Sequence, residues 1–360
     1  MWICLYFILK IYYHHNTFNK YLLYMLSFEK FSPFWDFQVK NPIWFMRQSG
    51  RYLPKYQELR KKYPHFIDFC LTPDAMVQAT QIPFDYFDLD AAIIFSDILI
   101  VPYAAEQTVD FIPGKGPQLS QFHLKSYQKD PEDLFVKCEP VYHAIRKTRD
   151  VIPPTIPLFG FAGAPWTLMS YSLGLSRHEK VKEDDLDTSL IWALRDALVA
   201  LISHHLIKQI DAGANMIQIF DSWAATVPDR YFYDLVVTPT KKIVQTVQKH
   251  APHIPILCFP KGIGEKYLPY IEAIPTDGLS IDNSVSMPWV VRNLKNKVVL
   301  QTGPTPESLI LGGGQLLEEA DKILQALSKS PFIFNLTHGI KPQTPIGHVK
   351  ALVEFVKHAG

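Results

Sequence analysis

The chain has 360 residues, 48% of them apolar and 20% charged, and a formal net charge of +1. That balance describes a globular protein with length for a large core, and excludes a disordered or fibrous chain. A net charge near zero gives no global reason to expect nucleic acid or a membrane surface as partner.

The first stretch, WICLYFIL, is apolar but too short to span a bilayer. No basic residue precedes it and no small-residue cleavage site follows, so it does not read as a signal peptide. The composition of residues 1–24 resembles translated AT-rich DNA. The expected start is therefore Met25, with residues 25–360 as one domain; a membrane anchor is the lesser alternative. Cys4, Cys70, Cys138 and Cys258 are scattered and form no C-x-x-C, which suits reduced thiols in a cytoplasmic protein. Charge is unevenly spread. Residues 1–62 carry ten Lys/Arg against three Asp/Glu, and residues 63–130 carry three against nine. A local anionic ligand stays in view.

Eight short apolar runs have strand length: PIWFM (42–46), AAIIF (91–95), IPLFG (156–160), MIQIF (216–220), PILCF (255–259), GLSI (278–281), VVLQ (298–301) and FIFN (332–335). None alternates cleanly, which predicts strands buried on both faces, as in a parallel sheet. Helical patterns separate most of them. TPDAMVQATQIPFDYF opens with Thr72 as N-cap and Pro73 at the first helical position. GKGP (114–117) reads as a hairpin turn. PEDLFVKCEPVYHAIRKTRD carries acids early and bases late, matching a helix dipole. Residues 188–212 form the longest helical stretch, and three further patterns follow, with breaks expected at Pro239 and at Gly312–Gly314. Strands alternating with helices predict a single α/β (β/α)8 TIM barrel with its cleft at the C-terminal strand ends. The competing open doubly wound sheet would want a glycine-rich dinucleotide loop after the first strand, and Arg-Gln-Ser-Gly-Arg is not one.

In such a barrel chemistry collects where strands end. There the sequence has Arg47 and Arg51, then Asp97, then Gly163, Pro165 and Tyr171, then Asp221 and Ser222, then Lys261, Asp282, Gln301 and His338. Taken singly, each has a structural reading. The arginines would pair with carboxylates such as Asp97; Asp97, Asp221 and Ser222 would cap helices; Tyr171 would be a core phenol; Lys261 and Asp282 would form structural pairs; His338 would bond to loop backbone. Recurrence at the same end of successive strands favours a site. No Walker loop, H-E-x-x-H or G-x-S-x-G is present, and metal-ligating residue types do not cluster. The set suits an anionic substrate.

The segments PIWFMRQSGRYLPKYQELR, AAIIFSDIL, GFAGAPWTLMSY, FDSWA, FPKG and FNLTHGI resemble, in order and spacing, the signature segments of the uroporphyrinogen decarboxylase family, from about Pro42 to the C-terminus. The resemblance implies a (β/α)8 barrel, a homodimer, no cofactor and no metal. It implies removal of carbon dioxide from the four acetate arms of uroporphyrinogen III to give coproporphyrinogen III. Residue by residue it carries Arg47, Gln48, Arg51, Asp97, Tyr171, Phe220, Ser222 and His338 into the cleft, with Asp97, Arg47 and Tyr171 in catalytic roles. Arg47 is the family's candidate proton donor, although a guanidinium pKa above ~12 makes it a reluctant acid. This sequence departs from the family pattern at Thr337 (Gly in the family), Asn283 (Trp), Ala225 (Gly) and the stretch Thr302–Pro306. Two other functions stay open: a zinc-dependent methyltransferase on the same barrel, for which the ligands are not apparent, and a non-catalytic tetrapyrrole binder.

Overall fold

The computed structural model describes residues 39–112, 116–175, 179–186 and 188–359. Residues 1–24, expected to precede the true start, lie outside that set. Seven of the eight apolar runs form strands of one parallel sheet in the order β1-β4-β5-β6-β7-β8-β9. These are β1 (Ala92–Ile93), β4 (Leu158–Gly163), β5 (Met216–Asp221), β6 (Ile256–Pro260), β7 (Gly278–Ser280), β8 (Val299–Thr302) and β9 (Phe332–Phe334). β5 and β6 run in register from Ile217 opposite Ile256 to Asp221 opposite Pro260. Nearly every strand residue is buried, as the missing alternation predicted.

The expected first strand, PIWFM, differs from the prediction. It makes one isolated parallel bridge, Ile43 with Phe334. The cause lies in where its amides go. Ile43 N–H donates to Asp90 Oδ2 at 2.9 Å, Phe45 N–H to Gln48 Oε1 at 3.2 Å and Met46 N–H to Asn335 Oδ1 at 3.1 Å. Three donors that a regular ladder would use are taken by side chains. The segment still touches both sheet edges. Phe334 N–H donates to Pro42 O at 2.8 Å, and Asp90 N–H donates to Ile43 O at 2.9 Å.

Its side chains enter the sheet's concave interior. Trp44 stacks on Phe159 with ring centroids 4.5 Å apart and joins Met46, Met216, Leu257, Phe259 and Ile333 in a buried cluster. A polar network crosses this interior. Trp44 Nε1–H donates to Gln301 Oε1 at 2.9 Å, and Gln301 Nε2–H donates to Gln218 Oε1 at 3.0 Å and Ser280 Oγ at 2.6 Å. Gln301, read from the sequence as a strand-end candidate, thus serves the interior.

Helices cover the outer face. Thr188–Asp211 is the longest; its span from Ser189 is long and apolar enough to cross a membrane. Here Leu194, Leu198, Leu201 and Leu206 are fully buried in the protein's own core. The helix at Pro73–Gln81 begins as predicted, but the Thr72 hydroxyl donates backwards to Asp68 O and does not cap. Residues 131–151 form two α-helices, Pro131–Phe135 and Glu139–Val151, joined by a 3₁₀ turn, because Pro140 begins a new helix more readily than it continues one. Pro239 is accommodated by a π-turn at Tyr233–Val237 ahead of Thr238–His250. Gly312, with φ of 68°, separates Pro306–Leu311 from Gly313–Leu327. An antiparallel pair, β2 (Val109–Ile112) and β3 (Gly116–Leu119), flanks the GKGP turn, whose tip lies outside the described residues.

Candidate active site

The loop that carries the paired arginines is tied down at both ends. Ile340 N–H donates to Met46 O at 3.0 Å, joining it to the loop after β9. Gln48 N–H returns to Phe45 O, and the Tyr52 hydroxyl donates to Gln48 O at 2.6 Å. Arg47 itself sits at φ 59°, a region that costs a non-glycine residue energy. Gly339 makes this possible. A Cβ there would come within 2.5 Å of Arg47 Cδ, so the arginine stem lies where a side chain would be.

A cavity of about 850 Å³ opens beyond the C-terminal ends of β1, β4, β5, β6 and β9. It is lined by Arg47, Gln48, Arg51, Asp97, Tyr171, Phe220, Ser222 and His338, the eight positions singled out in the sequence. Lys261 lines it as well. Asp221, Asp282 and Gln301 do not. Asp221 turns into the core, where its Oδ1 accepts the Thr167 hydroxyl at 2.6 Å and burial pushes its pKa up to about 7. Asp282 Oδ1 accepts the Tyr267 hydroxyl at 3.1 Å and the Ser284 amide at 3.0 Å. Lys261 and Asp282, each expected in a structural pair, are not among the ion pairs of the described residues.

The charges in the cavity are unusual in standing apart. Among the described residues neither guanidinium, of Arg47 or Arg51, makes an ion pair or a side-chain hydrogen bond, and Asp97 forms no ion pair. The expected Arg–Asp pairing is therefore absent. The Asp97 carboxylate accepts one protein hydrogen bond, from Leu99 N–H at 2.8 Å. Burial raises its pKa from 3.8 to about 6, against a lowering pull from the Leu99 amide and from Arg47. His338 moves the other way. Burial, reinforced by Lys261, Arg47 and Lys341, depresses its pKa to about 3, so the imidazole is neutral at physiological pH. Its Nδ1 is buried with no hydrogen-bond partner among the described residues. Tyr171 stands edge-on to Trp223, ring centroids 6.2 Å apart. Gln48 lines the cavity with its side chain engaged, donating through Nε2 to Ala91 O at 3.2 Å.

Tyr56, Arg60 and Ser96 were not singled out in the sequence, yet all three line the cavity. Tyr56 and Arg60 lie four apart on the helix Pro54–Lys61, so both face one side. That spacing, on a helix that begins three residues past Arg51, was the available signal. Arg60 donates to the carbonyls of Tyr63 and Pro64 and lies over the Phe66 ring. Ser96 Oγ is buried with no hydrogen-bond partner among the described residues.

Arg47 and Arg51, without ion-pair partners among the described residues, thus stand around one carboxylate at the C-terminal mouth of the parallel sheet of an α/β protein. Comparison with known proteins narrows the class. The family model described as uroporphyrinogen decarboxylase (URO-D) matches residues 38–359. A protein named uroporphyrinogen decarboxylase from Rickettsia bellii is 40% identical over 335 residues, covering 91% of this chain and 97% of its own. The Rhodospirillum rubrum protein of the same name is 38% identical over 351 residues, covering 94% of this chain and 97% of its own. Among solved structures, a methyltransferase from Methanosarcina mazei superposes with a TM-score of 0.67 at 18% identity, covering 88% of this chain and 93% of its own, a likeness of fold alone. The chain belongs to the uroporphyrinogen decarboxylase family.

Proposed function

We propose that this protein decarboxylates the four acetate arms of uroporphyrinogen III to methyl groups, giving coproporphyrinogen III in porphyrin biosynthesis. The observation that carries the reading is the cavity's separated charge: Arg47 and Arg51 unpaired, beside an Asp97 carboxylate that accepts one amide hydrogen bond. A substrate with eight carboxylates around a ring of four N–H donors complements that arrangement. The guanidinium forks would take acetate and propionate groups two-pronged. Asp97 would accept the pyrrole N–H groups. The hydroxyls of Tyr171 and Ser222 and the neutral imidazole of His338 would hold further carboxylates, with the backbone at Phe220 lining the floor.

The chemistry follows from the substrate. A proton adds to the pyrrole α-carbon beside the carbon that bears the acetate arm and leaves a cationic ring. The bond between methylene and carboxylate then breaks, its electron pair flows into the ring, and carbon dioxide departs. A second proton adds to the resulting exocyclic methylene carbon, and loss of the first proton from the ring restores the pyrrole and leaves the methyl group. The ring is its own electron sink, which is what an organic cofactor would otherwise supply. Asp97, partly desolvated and ionised at neutral pH, would stabilise the cation. Arg47 reaches the same region; as a guanidinium it suits charge stabilisation better than proton donation.

We further infer that PIWFM closes the sheet as the eighth stave of a (β/α)8 barrel. Its hydrogen bonds to β9 on one side and to the residue before β1 on the other support this, as does Trp44 in the interior. A single cytoplasmic domain over residues 25–360 and a homodimer complete the reading. A monomeric mass in solution would contradict the last. The zinc-methyltransferase alternative loses ground because Cys258 is buried away from the cavity, beside Thr276 and Tyr270. The test is anaerobic incubation with uroporphyrinogen III, products then oxidised and separated by carboxylate number. A series descending from eight to four supports the proposal. Substrate bound but recovered unchanged would move the protein to the non-catalytic tetrapyrrole-binding reading.

A further inference from the structure

Lys261 directly follows β6 and lines the cavity, where its charge acts on His338. Its amide donates to Asp221 O at 3.0 Å, which fixes the backbone at the sheet's rim. The next residue, Gly262, turns at φ 76°, and a Cβ on it would come within 2.9 Å of Ala225. The lysine is therefore held in place by a turn with little room to change. Its ammonium makes no ion pair or hydrogen bond among the described residues. The carboxylates that act on it are engaged elsewhere. Asp282 accepts from Tyr267 and Ser284, and Glu307 pairs with Lys341. The side chain is half-buried, and that partial burial lowers its pKa, the signature of a cation short of partners.

We propose that Lys261 is a third carboxylate anchor, seating a propionate arm of the tetrapyrrole against the His338 wall of the cavity. This rests on the function proposed above. A propionate is chosen over an acetate for two reasons. A cation holding the reacting carboxylate would stabilise the ground state more than the departing neutral carbon dioxide, and so slow the reaction. Propionates also persist through all four rounds, so one anchor can serve every intermediate. An ammonium suits this better than a guanidinium fork, because a compact charge with rotatable donors follows an arm as the ring is re-presented.

The test compares wild type with Lys261→Met, Lys261→Gln and Lys261→Arg. Coproporphyrinogen III, which keeps four propionates and no acetates, is titrated anaerobically by calorimetry. Turnover of uroporphyrinogen III and of the partly decarboxylated intermediates gives KM and kcat. The neutral variants should weaken coproporphyrinogen binding about tenfold or more, as expected for a lost charge-assisted contact. They should raise KM by a similar factor for every intermediate, with kcat changed less than about threefold. Lys261→Arg should recover most of the binding. If coproporphyrinogen binds the neutral variants as it binds wild type, the proposal is overturned. It is also overturned if the KM effect fades as acetates are removed, which would mean an acetate contact. Should wild type leave uroporphyrinogen unchanged, the decarboxylase reading fails while the coproporphyrinogen titration still decides on Lys261. A wild type that binds neither compound overturns both. Using two neutral variants separates a folding defect in one of them from loss of the anchor.

Discussion

Asp97→Asn should make the protein more stable and less active at once. The carboxyl is held where its pKa rises from 3.8 to about 6, because burial outweighs the Leu99 amide and the pull of Arg47. A shift of roughly two units at ~1.4 kcal/mol each sets a ceiling of about 3 kcal/mol, and the cavity's opening to solvent lowers the expectation to about 1–2 kcal/mol. The sign follows from proton counts. Between the unfolded and folded pKa values the folded state keeps a proton that the unfolded chain has lost, so stability falls as pH rises through that window and stays lower above it. An asparagine does not titrate, and its amide oxygen can still accept from Leu99, whose donor lies 2.8 Å from Asp97 Oδ1. Urea midpoints should therefore coincide near pH 4 and separate in the variant's favour above about pH 6. Turnover should drop by about a hundredfold or more, as when a charge that stabilises a transition state is removed. A variant less stable than wild type at about pH 8 would mean that Asp97 sits in a favourable ion pair, and the account of separated charges would fall. Retained turnover would end the electrostatic role assigned to Asp97.

Gly339→Ala should strike Arg47 without unfolding the protein, since the added methyl meets a flexible side chain at 2.5 Å and the glycine is not at positive φ; we expect kcat/KM to fall by at least about tenfold with little change in melting temperature, and kinetics equal to wild type would show that Arg47's placement is not critical. Gln301→Leu removes a hub bonded to Trp44, Gln218 and Ser280. Leaving those buried groups unpaired should cost about 3 kcal/mol, read from urea unfolding; a loss under about 1 kcal/mol would mean that the network rearranges. Thr337 is not among the positive-φ residues, so the family's glycine at this place is not required by backbone geometry. Thr337→Gly should leave turnover within about threefold and lower stability by about 1 kcal/mol, and a large gain in activity would instead mark Thr337 as a damaging substitution.

Most of the fold was legible because buried parallel strands announce themselves as unbroken apolar runs, and seven of these pair as such. PIWFM was legible as buried but not as irregular. Nothing in five apolar letters tells that Asp90, Gln48 and Asn335, the last of them 289 positions from Met46, will take its amides. The cavity was legible for a similar reason. The (β/α)8 expectation fixes which end of each strand faces it, so Arg47, Arg51, Asp97, Tyr171, Ser222 and His338 could be gathered from one rule. That rule does not say which strand-end side chains turn inward. Asp221 and Ser222 are neighbours, and the alternation of side chains sends the first to the core and the second to the cavity.

The same limit applies to charge pairing, and here it bears on function. From sequence, the economical expectation was that Arg47 and Arg51 pair with carboxylates such as Asp97, and that Lys261 and Asp282 each make structural pairs. Had such pairs formed, the cavity would have been electrically quiet, with affinity for an anion reduced by the work of breaking them. Instead Asp282 is satisfied by hydroxyl and amide donors. Asp97 is left with one amide, and Arg47, Arg51 and Lys261 make no ion pair among the described residues. Each separation costs stability in the empty protein, which is why the Asp97 carboxyl is pushed toward neutrality and the Lys261 ammonium likewise. A ligand with carboxylates at its edge and N–H donors at its centre would relieve both kinds of strain in one binding event. A simple dicarboxylate could relieve only the cations. Wild type should therefore bind coproporphyrinogen III far more tightly than a linear tetracarboxylate of equal charge, and the difference should shrink in Asp97→Asn. Equal affinities in wild type would show that charge alone is recognised, and the central place given to Asp97 would have to be abandoned.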